Sequence, residues 1–105
     1  MKIRLTPDIC RNIIAIFNKR NGNDYDFDSH EFISVLRLCY PLEYYSAIPR
    51  YMSSCGEEDA IKRMHAEISR YLSEERDNLH IDSLGKHVSL NYRGDETSNE
   101  KWRKL

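Results

Sequence analysis

Apolar residues recur along this chain mostly at helical spacing. Ile9, Ile13, Ile16 and Phe17 mark one helical face, and the residues before them form a start signal. Thr6 is placed as N-cap, Pro7 at the first helical position and Asp8 in the first turn, with Leu5 set to staple onto Cys10. Arg20-Asn21-Gly22-Asn23 supplies late positive charge and a left-handed cap, so the first helix is expected over about residues 7 to 20. A second helix carries Phe32, Ile33, Val35, Leu36, Leu38 and Cys39, apolar over so much of its circumference that it is expected to be the most buried element. It stops before Pro41, which suits the first turn of a third helix. Tyr40, preceding a proline, is biased out of helical geometry. Pro49 removes a hydrogen bond, so residues 41 to 54 are expected as two short pieces.

The longest pattern runs from 57 to 78, where Ile61, Met64, His65, Ile68, Tyr71 and Leu72 hold one face and Glu57, Glu58 and Asp59 favour the helix start. The period then changes to two. His87, Ser89, Asn91 and Arg93 point one way and Val88, Leu90 and Tyr92 the other. With Gly85-Lys86 as turn and Gly94-Asp95 as closure, residues 80 to 93 read as a β-hairpin in which His80 and His87 face each other. Thr97 and Glu100 form a capping box for a final helical turn from which Trp102 docks on the domain. These elements predict one α+β domain over residues 1 to 105, mostly α, with four or five helices followed by a C-terminal β-hairpin, winged-helix-like in outline.

The run Asn23-Asp24-Tyr25-Asp26-Phe27-Asp28-Ser29-His30-Glu31 resembles the back half of an EF-hand loop. Aligning Glu31 as the twelfth ligand puts Arg20 first and Tyr25 at the glycine position, which calcium binding does not tolerate. Asp28 and Glu31 read instead as the capping box of the second helix. Cys10, Cys39 and Cys55 are too few and too widely spaced for a disulfide framework or zinc site. Cys10 and Cys39 read as small hydrophobes and Cys55 as a loop thiol. His30, His65, His80 and His87 lack metal-ligand spacing, and His65 reads as a hydrogen-bonded core residue. No metal and no cofactor are expected. With only four glycines, no phosphate-cradling loop and no nucleophile elbow, the chain is not expected to be an enzyme.

Sixteen basic and seventeen acidic side chains leave a net charge of −1, which removes any chain-wide electrostatic case for nucleic acid or anionic membrane. The charge is uneven: residues 1 to 22 carry +4 and residues 23 to 59 carry −6. This polarity suits a defined partner face. No apolar run approaches the ~20 residues of a membrane span, and no signal-peptide core follows Met1, so a cytoplasmic location is expected.

Two binding modes fit the element order. Helices followed by a hairpin suggest DNA contact through Lys62, Arg63 and Arg70 on the helix and Lys86, His87 and Arg93 on the wing. Against this, the helix runs to 22 residues and opens with Glu57-Glu58-Asp59, which phosphates repel. The favoured mode is protein–protein contact, self-association into a homodimer included. Here Tyr44, Tyr45 and Tyr51 offer aromatic anchors, at least one of them exposed, and Glu57, Glu58 and Asp59 a charged rim.

Ser29-His30 before Phe32-Ile33, His65-Ala66 before Ile68 and Arg70, and then Ser89, Asn91, Gly94 and Trp102 resemble a pattern in a family of small bacterial and mobile-element proteins of unknown function. The resemblance spans residues 28 to 102 and implies a bacterial, cytosolic origin. It also implies structural roles for His65 and the Ser89-Asn91-Gly94 corner, with Asn91 bonding the turn backbone and Gly94 supplying positive φ, beside the structural role already read for Trp102.

Overall fold

The computed structural model describes residues 1–18, 24–53 and 55–105. The elements, in chain order, are α1 (Pro7–Ile14), β1 (Phe27–Asp28), α2 (Ser29–Cys39), α3 (Pro41–Tyr51), α4 (Glu57–Glu74), α5 (Arg76–Leu79), β2 (Ile81–Leu90) and β3 (Glu96–Lys104). The protein is α+β and mostly α, with the antiparallel hairpin at its C-terminal end. β1, the two residues just before α2, joins this hairpin to make a three-stranded sheet of order β1-β3-β2. Among the described residues no helix is long and apolar enough to cross a membrane.

The helix starts follow their local signals. Thr6 Oγ1 accepts from the Ile9 N–H at 3.2 Å, and Pro7 opens α1. Asp28 and Glu31 close a reciprocal capping box at the start of α2: the Glu31 N–H donates to Asp28 Oδ1 at 2.8 Å, and the Asp28 N–H donates to Glu31 Oε1 at 3.1 Å. Tyr40 leaves helical geometry at φ −128° and ψ 57°, and Pro41 opens α3.

Several ends and surfaces differ from expectation. α1 stops at Ile14, because the Ile16 and Phe17 amides bond back only three residues, to Ile13 and Ile14. That tightening turns Ile16 outward, 54% exposed, and stacks Phe17 on Phe27 at 4.9 Å between centroids. The expected cap at Arg20-Asn21-Gly22-Asn23 lies outside the described residues. α2 buries Phe32, Ile33 and Leu36 but leaves Leu38 and Cys39 in solvent, so it is amphipathic rather than all-round buried and Cys39 is no core hydrophobe. α3 is continuous through Pro49: the single lost bond falls four residues after exposed Tyr45, where water can serve the carbonyl, while Tyr44, Ala47, Ile48 and Tyr51 hold the buried face. The long helix ends at Glu74, where that acid in the last turn and Glu75 at the C-cap sit unfavourably, and α5 brings Leu79 into the core.

The hairpin is displaced by a full turn. Gly85, at φ +90°, absorbs a bulge inside β2, where the register shifts between Ser83 and Lys86, and the strand continues to Leu90. The chain reverses at residues 91 to 95 instead. There Asn91 Oδ1 accepts from the Arg93 N–H at 2.9 Å and the Asp95 N–H at 3.0 Å, and Gly94 takes φ +80°. The expected helical turn at Thr97 is therefore strand β3. A lone helical turn is marginal in water, whereas β3 gains backbone bonds on both sides. His80, left-handed at φ 54°, caps α5, and His87 stands opposite Asn99 rather than His80.

β3 is the central strand, and fully buried Trp102 is its anchor. The Trp102 Nε1–H donates to Ser29 Oγ at 3.1 Å, and its carbonyl accepts from the Asp26 N–H at 2.8 Å. Trp102→Ala is expected to cost about 3–5 kcal/mol in urea unfolding. Asn91→Ala, which removes the acceptor of two exposed turn amides, is expected to cost about 0.5–1.5 kcal/mol and to weaken the Leu90–Glu96 end of the ladder first in amide exchange.

Candidate functional site

α4 has two unlike faces. Ala60, Met64, Ile68 and Leu72 are fully buried against the core. Lys62, Ala66, Ser69 and Arg70 look instead across a groove of about 550 Å3 toward the hairpin. Lys86 of β2 lines the far side, and Ile33 and Trp102 belong to the buried layer beneath. The strand register sets Lys86, Val88 and Leu90 on the same sheet face as Ser98, Glu100 and Trp102. Val88 and Leu90 are 60% and 61% exposed, so the apolar side of the alternating segment faces solvent and its polar side is the packed one.

Three polar ties hold the groove walls in place. Tyr44 Oη lies 2.7 Å from His65 Nε2, and the His65 ring meets Tyr92 edge-on at 4.9 Å, linking α3, α4 and the hairpin turn. On the other sheet face His87 Nε2 lies 2.9 Å from Asp28 Oδ2, with Tyr25 edge-on to the imidazole at 4.7 Å. Between them, His30 Nδ1 lies 2.9 Å from Ser89 Oγ and its Nε2 lies 3.2 Å from Thr97 Oγ1. Asn99 completes this cluster, donating to Ser89 Oγ at 2.9 Å and accepting the His30 N–H at 3.0 Å.

These ties fix charge states as well as positions. Burial pushes His65 down to about 4, with the nearby His30 and Arg37 adding to the effect, so the ring is neutral at pH 7. Burial also lowers His30, and it raises Tyr44 and Tyr51 to about 12. The Cys10 thiol, fully buried, is pushed up to about 12 by burial and behaves as a small apolar group. Cys55 donates its S–H to the Tyr51 carbonyl at 3.2 Å.

The expected site residues divide sharply. Lys62, Arg70 and Lys86 line one groove. Arg93 pairs with Glu58 and reaches Asp95 at 3.9 Å, and His87 is held by Asp28, so neither is a free wing contact. Arg63 is exposed on α4 and does not line the groove. Of the three tyrosines only Tyr45 is exposed, at 54%; Tyr44 and Tyr51 are each 2% exposed and serve as internal posts, not surface anchors. Tyr51 accepts the Ile3 N–H at 3.1 Å and donates to Glu67 at 2.9 Å. The acidic middle is partly engaged within the chain: exposed Asp24 pairs with Lys101, buried Asp26 accepts the Lys104 N–H at 2.9 Å, and buried Asp28 caps α2. Glu57, Glu58 and Asp59 are exposed at the start of α4, with Glu58 also 3.8 Å from Lys62.

Sequence reasoning missed the joint role of His30, Ser89 and Asn99. The available signal was a histidine directly after a capping residue, together with small polar residues alternating in a strand. No family model, curated protein or solved structure matches the chain.

His65 sets a pH dependence with a definite sign. Its folded-state value lies below that of the unfolded chain, so its contribution to stability is fully present above about pH 6.5 and is lost as pH falls toward about 4. His65→Gln, which removes the titration, is expected to flatten urea stability across that window relative to wild type by an amount on the order of 2–3 kcal/mol.

Proposed function

We propose that the protein is a non-catalytic, cytoplasmic binding protein that acts through protein–protein contacts, self-association being the simplest of them. The observation that supports this reading is an exposed apolar corner between α2 and α3: Leu38, Leu42 and Tyr45 are 75%, 76% and 54% exposed. Leu42 and Tyr45 are one turn apart on α3 and share a face. Tyr45 is braced edge-on by the Tyr44 ring at 5.0 Å and 83°, and Tyr44 is itself held by His65. An aromatic side chain held in place before contact loses little freedom on binding, which suits it as an anchor. Large apolar side chains following one another around a single corner are the kind of surface that partners cover.

DNA-binding regulation is the second reading, and the gathering of Lys62, Arg70 and Lys86 in one groove favours it. It stands second because Arg93 and His87 are engaged by carboxylates and α4 opens with three acids.

Leu42→Glu and Tyr45→Ala are expected to abolish dimer formation in sedimentation equilibrium while changing urea stability by less than about 0.5 kcal/mol, since both side chains are exposed. A strictly monomeric wild type, together with a photo-crosslinker at Leu42 that yields no protein adduct in source-cell extract, overturns the reading. Titration of a mixed-sequence duplex at about 50 mM and about 200 mM salt tests the second one: micromolar binding that weakens steeply with salt and is lost in Lys86→Glu promotes it.

A further inference from the structure

We propose that the groove between α4 and the hairpin binds an extended acidic segment of a partner protein, seating an apolar side chain over its floor and carboxylates on three rim cations. This surface shares no lining residue with the α2–α3 corner, so it stands or falls separately.

The charge pattern carries the argument. Lys62 and Arg70, eight residues apart on α4, are separated by about 12 Å along the helix axis, and Lys86 stands on the opposite wall. All three are exposed. Among the described residues Arg70 and Lys86 form no ion pair, and Lys62 has only the 3.8 Å approach to Glu58. Glu100, the carboxylate among the groove-lining residues, accepts the Ser83 hydroxyl. Ala66 and Ser69 are small, so α4 leaves a depression between its two cations, with Ile33 and Trp102 in the layer beneath. Cations on the rim of a depression that presents Ala66 and part of the Tyr92 ring are the complement of a chain that alternates acidic and apolar side chains.

The spacing selects the occupant. An extended peptide rising about 3.4 Å per residue sets carboxylates four residues apart at about 13–14 Å, close to the backbone spacing of Lys62 and Arg70, with an apolar residue midway. Single-stranded nucleic acid also carries spaced charges, but its bases need open aromatic faces to stack on. Here Trp102 is fully buried and Tyr92 is engaged edge-on with His65.

A fluorescein-labelled peptide with the core Glu-Ser-Leu-Ser-Glu, its Gln-Ser-Leu-Ser-Gln counterpart and a single-stranded oligothymidine are titrated with the full chain by anisotropy at about 50 mM salt. The acidic peptide is expected to bind in the micromolar range, with the glutamine version at least about tenfold weaker. Arg70→Glu and Lys86→Glu are each expected to weaken the acidic peptide by a similar factor, and Arg50→Glu, remote from the groove, to leave it unchanged. Ser69→Trp, which fills the depression, is expected to abolish binding; amide spectra of each variant verify the fold. Equal affinity for the Glu and Gln peptides, binding insensitive to Arg70→Glu and Lys86→Glu, or no peptide binding up to about 1 mM overturns the proposal. Tight oligothymidine binding without peptide binding also overturns it and assigns the groove to nucleic acid. None of these outcomes bears on Leu42 and Tyr45, whose dimer test reads the corner alone.

Discussion

The fold depends on the capture of β3 by the segment that precedes α2. Trp102 fills the centre of the core, opposite Phe27 in the sheet register, and Ser29, Asp26 and the β1 backbone satisfy its polar atoms and those of its neighbours. Closing a loop of this length costs several kcal/mol of chain entropy before any contact repays it. The repayment is concentrated in a few side chains: a fully buried indole, two stacked phenyl rings and a set of carboxylates that accept main-chain amides. Once β3 is in place, β2 has a partner on both sides of its bulge, and the hairpin stands at the distance from α4 that opens the groove.

This arrangement redistributes the charges. The acidic run after residue 23 looks like a solvated or partner-facing stretch in one dimension. In three dimensions its first members are engaged within the chain: Asp24 meets Lys101 at the surface, Asp26 and Asp28 are each 2% exposed, and Asp28 serves both as a helix cap and as the partner of His87. Basic residues from the C-terminal strand are drawn toward them, while Arg70 and Lys86 form no ion pair among the described residues and line the groove.

Local chemistry was legible in the sequence wherever the decision was local. Thr6 and Pro7, Asp28 and Glu31, Tyr40 and Pro41 each set a helix boundary through bonds spanning a few residues, and each was readable by spacing. The hairpin was not, because Gly85-Lys86 and Asn91–Asp95 are both competent turns and only pairing with β1, some 75 residues away in sequence, selects the second. Thr97–Glu100 failed for the same reason: its capping-box pattern is real, but ladder bonds on both strands outweigh one helical turn. The three tyrosines looked alike in sequence, yet one helix face buries Tyr44 and Tyr51 and exposes Tyr45. The groove needed α2, α4, β2 and β3 together, so only its cations were nameable beforehand.

The central position of β3 has a consequence for how the chain is made. During vectorial synthesis α1 to α5 and β2 leave the ribosome before the strand that lies between β1 and β2, so the nascent domain holds a core lacking its largest side chain and a sheet with a missing middle. Cooperative folding must therefore wait until Trp102 has cleared the exit tunnel, and for that interval Phe27, Phe32 and the inner faces of the helices are open to holdase chaperones.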